Sequence, residues 1–297
     1  MEYTVKEIGE KFKQQNYICD EDILVPVYLA LKLQKPLLIT GAPGVGKTEI
    51  AKVLSKVLDT ELIRLQCYEG LDENKALYEW NYQKQLLLIQ AHKNDQGVTE
   101  DIFSQEFLLE RPLLKAILAP KKVVLLIDEI DKTDAEFEAF LFEVLSDFQV
   151  SVPELGTIKA REIPVVILTS NGERDLSDGL KRRCIFLHID FPAPEKEVEI
   201  IKAKVPALGT ELTWQLAKSV AYLRNHLALK KKPSISETLD WAQALLTLNA
   251  QRMTEHLVDQ TLNLLLKDKE DIDLFREKGG AKEMLQTSLT CECHRTV

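Results

Sequence analysis

Lys47 and Thr48 close the run "GAPGVGKT", and further along "VVLLIDEIDK" delivers Asp128 and Glu129. An amine, a hydroxyl beside it and a pair of carboxylates are the side chains that hold a nucleoside triphosphate with its metal and activate water against it. The first run, Gly41, Ala42, Pro43, Gly44, Val45, Gly46, Lys47 and Thr48, fits the phosphate-binding pattern GxxxxGK[ST]. Its glycines let successive backbone N–H groups turn inward onto phosphate oxygens, and the positive end of the following helix adds to them. Lys47 is expected at the β- and γ-phosphates and the Thr48 hydroxyl at Mg²⁺, with Glu49, the next residue, included in the nucleotide-binding stretch. A glycine-rich turn is the plainer reading. Against it stand the strand-like "PLLIT" before the motif and the helical "KTEIAKVLSKVL" after it.

Asp128 is expected to hold Mg²⁺ through its water shell, and Glu129 to polarise the attacking water. Read alone, the pair is also a good acidic helix cap; the P-loop upstream favours the metal reading. Asn171 in "LTSNGER" ends another apolar run and is a candidate to orient the same water, or a turn residue. Arg182 and Arg183 in "LKRRCIFLHIDFP" have the side chain that stabilises charge on a transferring phosphoryl group, and a neighbouring subunit can supply it. A solvated surface pair is the alternative.

These residues need a scaffold. "PLLIT", "LIRLQC", "VVLLID", "PVVILTS" and "IFLHID" are short and rich in large or β-branched apolar residues, as parallel strands covered on both faces are. Between the third and fourth, Phe137, Phe140, Leu141, Val144 and Leu145 recur at helical spacing behind Thr133 and Asp134. Alternating strands and helices predict a three-layer α/β domain over residues 1–192. After "DFPAPEKE" the patterning turns helical, which predicts a second, helical domain over 193–288 and a frayed tail over 289–297. "FQVSVPELGTI" has hairpin patterning, with Leu155 exposed at its tip. Tyr78, Trp80 and Tyr82 alternate in "LYEWNY" and are read as buried aromatics, with a contact surface as the alternative.

Composition narrows the partners. With 297 residues, 38 Lys+Arg against 47 Asp+Glu and a net charge of −9, the chain has no general means of holding a phosphate backbone, which disfavours nucleic acid. No apolar run approaches the roughly 18 residues a bilayer span needs, and the N-terminus lacks signal-peptide layout, so no stable membrane insertion and a cytoplasmic location are expected. The five cysteines are scattered and odd in number, and reduced thiols are expected. In the tail, Cys291, Cys293 and His294 are too closely spaced for the usual zinc arrangement.

Taken in order, the P-loop, "IDEID", "TSN" and "RRC" before the last strand resemble an AAA+ ATPase module. "LIRLQCYEGLDENKALYEWNYQKQLL" and "DFQVSVPELGTIKA" are similar to the MoxR family, particularly its CoxD-type branch of carbon monoxide dehydrogenase accessory ATPases. That resemblance implies a P-loop αβα core with a parallel five-stranded sheet, a C-terminal helical lid, and ATP and Mg²⁺ as cofactors. It implies hydrolysis in a homo-oligomeric ring, a hexamer. The work done would be chaperone-like maturation of a metalloenzyme of the carbon monoxide dehydrogenase or molybdenum hydroxylase type, with a von Willebrand factor A domain protein as partner. It also implies an insert at about 72–100 and a β-hairpin at about 148–160 that touch client or partner, and it prefers Arg183 to Arg182 as the arginine finger. One departure stands out: where many lids place a sensor Arg, "PSISETLDWAQAL" offers Ser236 and Glu237. A nucleic-acid motor or GTP-specific restriction component, and a nucleotide-gated scaffold that does not hydrolyse, are the other classes kept open.

Overall fold

Strand-forming residues in "PLLIT", "LIRLQC", "VVLLID", "PVVILTS" and "IFLHID" do build one sheet. A computed structural model describes residues 3–91, 102–153 and 155–290. Its strands are β1 (Leu37–Gly41), β2 (Leu62–Gln66), β3 (Tyr78–Trp80), β4 (Leu108–Glu110), β5 (Val124–Asp128), β6 (Gln149–Val152), β7 (Gly156–Lys159), β8 (Val165–Ser170) and β9 (Ile185–Ile189). The five-stranded sheet has the order β2-β5-β8-β1-β9; β2 with β5, β5 with β8 and β8 with β1 run parallel. Every residue of β5 is buried, because helices cover both faces and leave no side for polar groups. Burying a Val, Leu or Ile there contributes about 1.5–3 kcal/mol each. The registers Gln66↔Asp128, Ile127↔Leu168 and Thr40↔Ser170 bring the carboxyl ends of four strands level at one edge, where open α/β sheets bind ligands.

By compactness the chain forms two units: Met1–Lys11, Asp20–Gly41 and Lys47–His188 make one, and Phe12–Cys19, Ala42–Gly46 and Ile189–Val297 the other. The first contains the sheet and a core running from Leu38 through Leu125 and Ile127 to Leu168 and Leu180. The second is helical, with helices Pro194–Lys204, Thr210–His226, Ile235–Thr247, Glu255–Thr261, Lys269–Glu277 and Gly280–Thr290 around Trp241, Leu216, Leu245 and Phe275. Helix Ile235–Thr247 begins with a capping box: Ser234 Oγ accepts the Glu237 N–H and the Glu237 carboxylate accepts the Ser234 N–H. Glu237 is thereby committed to the helix end.

Antiparallel β6 and β7 form the hairpin, with Gln149 opposite Lys159 and Val152 opposite Gly156. Leu155 corrects the reading of an exposed tip: it is half-buried against the core, because the turn folds back so that the Leu155 N–H reaches the carbonyls of Val152 and Pro153. Glu154 and the tail with Cys291, Cys293 and His294 lie outside the described residues.

Between β2 and β5 the segment containing β3 and β4 carries helix Tyr82–Ala91. Tyr78 and Trp80 pack edge to face and are sheltered, but Tyr82 is 61% exposed: the strand stops at Trp80, Asn81 caps the next turn by accepting the Lys84 N–H, and the alternation of period two ends there. The helix is inverted in polarity. Gln85 points inward, 5% exposed, donating to the Ile102 carbonyl, while Leu86, Leu87 and Ile89 stand in solvent.

Candidate functional site

The edge formed by β1, β5 and β8 gathers most of the residues singled out by sequence. Gly41, Gly44 and Gly46 all have positive φ, at 146°, 75° and 95°, the backbone an inward-curling loop demands. At Gly44 packing adds to this requirement: a Cβ would stand 2.5 Å from Cβ and Oγ of Ser234, which belongs to the same unit. Lys47 opens helix Lys47–Val57 and is 6% exposed; its Nζ donates to the Gly41 carbonyl and to Asn171 Oδ1, each at 2.8 Å. Burial draws its pKa below the ordinary lysine value, and Asp131, Asp128 and Glu129 act against that shift.

Asp128, 2% exposed, accepts Thr48 Oγ1 at 3.1 Å and Thr169 Oγ1 at 2.5 Å on Oδ1, and Arg64 Nε and Nη2 at 3.1 and 2.5 Å on Oδ2. Glu129 follows in left-handed backbone, φ 58° and ψ 51°, a conformation that strains a residue with a Cβ. Three contacts hold it: its N–H donates to Thr169 Oγ1 at 2.9 Å, and its Oε2 accepts Gln66 Nε2 at 3.0 Å and pairs with Lys132 Nζ at 2.8 Å. Asp131 is buried and receives the N–H groups of Asn171 and Glu173, which fixes the loop after β8. These carboxylates raise the local negative potential. Cys67 registers it: burial first, then Asp128, Asp131 and Glu129, push its thiol up to about 12.

Lys47, Thr48, Asp128, Glu129 and Asn171 thus meet at one sheet edge as one electrostatic cluster, in which hydrogen bonds join Lys47 to Asn171 and, separately, Thr48 to Asp128. Thr169, Asp131, Arg64 and Gln66 belong to it and were not singled out by sequence. The alternation of "LIRLQC" puts Arg64 and Gln66 on one face of β2, but only the register to β5 shows that this face meets Asp128 and Glu129. Arg182 and Arg183 lie apart, in the last turn of helix Asp178–Arg183. Arg182 is exposed. Arg183 is half-buried, with Nε on Ser146 Oγ, Nη1 on the Gly179 carbonyl and its guanidinium over the Phe142 ring.

The donor set suits a hard divalent cation: Thr48 and Asp128 present a hydroxyl and a carboxylate, both oxygen donors, 3.1 Å apart. No cluster of three or more His, Cys, Asp or Glu that could hold a metal ion occurs among the described residues.

A P-loop leading from a strand into a helix, beside an acidic strand end in a parallel sheet, defines a P-loop ATPase. The chain belongs to the AAA domain family, dynein-related subfamily, whose model matches residues 36–184. An uncharacterised protein of Staphylococcus aureus (strain USA300) is 29% identical over 245 residues, covering 80% of this chain and 85% of its own length. Another, from Staphylococcus haemolyticus (strain JCSC1435), is 26% identical over 282 residues, 92% and 98% of the two chains. Among solved structures, one variant of Thermotoga maritima RuvB matches at 19% identity with a TM-score of 0.53, over 93% of this chain and 84% of that one. A second RuvB variant matches at 0.51, over 93% and 77%. At this identity the likeness to RuvB is one of AAA+ fold. No described helix is long and apolar enough to cross a membrane.

Proposed function

We propose that the chain hydrolyses Mg²⁺-ATP and spends the cycle on remodelling a protein client. In this reading Lys47 binds the β- and γ-phosphates, Thr48 and Asp128 hold Mg²⁺, Glu129 takes the proton of the attacking water, and Asn171, tethered to Lys47, orients it. When bound, Mg²⁺ supplies charge neutralisation at the phosphate oxygens. The observation that carries the hydrolytic part is Glu129: a strained left-handed backbone, held by three partners, at the carboxylate next to Asp128.

A protein client is favoured over nucleic acid by the net charge of −9 and by the inverted helix Tyr82–Ala91, whose Leu86, Leu87 and Ile89 offer an apolar face. The narrower reading, maturation of a carbon monoxide dehydrogenase or molybdenum hydroxylase type metalloenzyme by a MoxR-like, CoxD-type ATPase with a von Willebrand factor A domain partner, is supported by the phrases around 62–87 and 147–160. Leu87→Asp is expected to leave basal ATP turnover within about twofold of wild type, since Leu87 is 67% exposed and fills no core position. It should remove stimulation by a von Willebrand factor A domain partner. Stimulation that survives Leu87→Asp, or a severalfold response of the wild type to DNA or RNA, would turn the reading toward a motor.

The ring is part of the proposal, with Arg183 as the finger acting across subunits and Arg182, the exposed neighbour, as the second candidate. Mixing decides it. Subunits carrying Lys47→Ala should partly restore hydrolysis to subunits carrying Arg183→Ala, since each supplies what the other lacks. Rescue of Arg182→Ala instead would move the finger by one residue, and no rescue despite subunit exchange would remove the shared site.

A further inference from the structure

Asp128 is saturated. A carboxylate has about four lone-pair sites, and here four donors fill them: Thr48 and Thr169 on Oδ1, Arg64 Nε and Nη2 on Oδ2. A cation, or water bound to one, needs a site back. Thr169 is wholly buried and also receives the Glu129 N–H, so it is fixed from two sides. Thr48 belongs, on the reading above, at the cation itself. Arg64 differs from both. Its side chain is 49% exposed, with solvent to move into, and its positive charge opposes a second positive charge at the same carboxylate.

We propose that Arg64 is the resident counter-ion of Asp128, gives way when a divalent cation loads, and thereby sets the cation concentration at which the site fills. The proposal rests on Asp128 being the cation's carboxylate. Its reach extends to the second carboxylate, because Arg64 Nη2 also donates to Gln66 Oε1 at 2.5 Å and Gln66 Nε2 donates to Glu129 Oε2 at 3.0 Å. The chain Asp128, Arg64, Gln66, Glu129 links the two acids through side chains of β2 alone. When Arg64 moves, Gln66 loses one of its anchors, and its hold on the Glu129 carboxylate relaxes as the cation arrives. Arg64 is thus a positioning residue: it acts on the reaction through Asp128 and Gln66.

The test is Mn²⁺ binding to the full chain in the presence of ADP, followed by electron paramagnetic resonance, which reports the cation without turnover. Arg64→Met should bind Mn²⁺ about tenfold more tightly than wild type, the order expected when a like charge leaves a half-exposed site. Arg64→Gln, which keeps hydrogen bonding without charge, should show the same gain. Arg64→Lys, which keeps the charge, should stay within about twofold of wild type. Asp128→Asn separates this proposal from the one beneath it. If Asp128→Asn weakens Mn²⁺ binding while Arg64→Met and Arg64→Gln bind it no more tightly than wild type, Arg64 only braces the site and the counter-ion role is overturned. If Asp128→Asn binds Mn²⁺ as wild type does, the assignment of Asp128 itself has failed.

Discussion

Glu129→Gln is expected to bind ATP as tightly as the wild type and to turn it over about 10²- to 10⁴-fold more slowly, the range a positioned general base contributes. The substitution keeps side-chain size and leaves the Glu129 N–H on Thr169, so the strained turn after β5 has its backbone anchor. What it removes is proton affinity at the carboxylate. Lys47→Ala should fail earlier. Its ammonium is buried, bridges the Gly41 carbonyl and Asn171, and faces Asp128, Glu129 and Asp131, so its removal takes away the charge proposed to bind phosphate and leaves negative potential uncompensated. A fluorescent ATP analogue should show loss of binding in Lys47→Ala and none in Glu129→Gln.

In the helical unit, Arg224→Ala should cost about 3–5 kcal/mol of stability, as breaking a buried ion pair does. Arg224 is 3% exposed and Glu197 wholly buried, and they meet fork to fork at 2.8 and 2.9 Å. The guanidinium also donates to the Pro233 carbonyl and to Thr238 Oγ1, and lies over the Phe191 ring. Thr238 Oγ1 in turn donates to Glu197 Oε1, so three helices share one satisfied network. Truncating Arg224 takes the guanidinium away from the buried Glu197 carboxylate. Replacing both partners together, Glu197→Leu with Arg224→Met, should be milder than Arg224→Ala alone. Denaturant unfolding of the three proteins measures this; a loss below about 1 kcal/mol for Arg224→Ala would mean that water reaches the site.

Much of the site was legible because a P-loop and an acidic strand end are local. "PLLIT" and "KTEIAKVLSKVL" place Lys47 and Thr48 without tertiary information, and "VVLLID" is apolar enough to be recognised as a buried strand that ends at Asp128. Arg64 and Gln66 could be assigned to one face of a strand, but their partners follow from strand order, and β2 beside β5 is a crossover that local pattern does not encode. Tyr82 was misread because a period of two in "LYEWNY" continues across a real strand end, where Asn81 starts a helix. Leu155 was misread because a turn tip that folds back onto a core has the same sequence as one that points away. Ser234 and Glu237 spell a capping box, and that local signal accounts for Glu237 without any role as a lid sensor.

The central claim is that Lys47, Thr48, Asp128 and Glu129 are one ATP-hydrolysing centre. Equilibrium ATP binding and phosphate release, measured on the same preparation of Glu129→Gln, test it most directly. The account predicts wild-type affinity with turnover reduced at least 10²-fold; unchanged turnover in Glu129→Gln would contradict it.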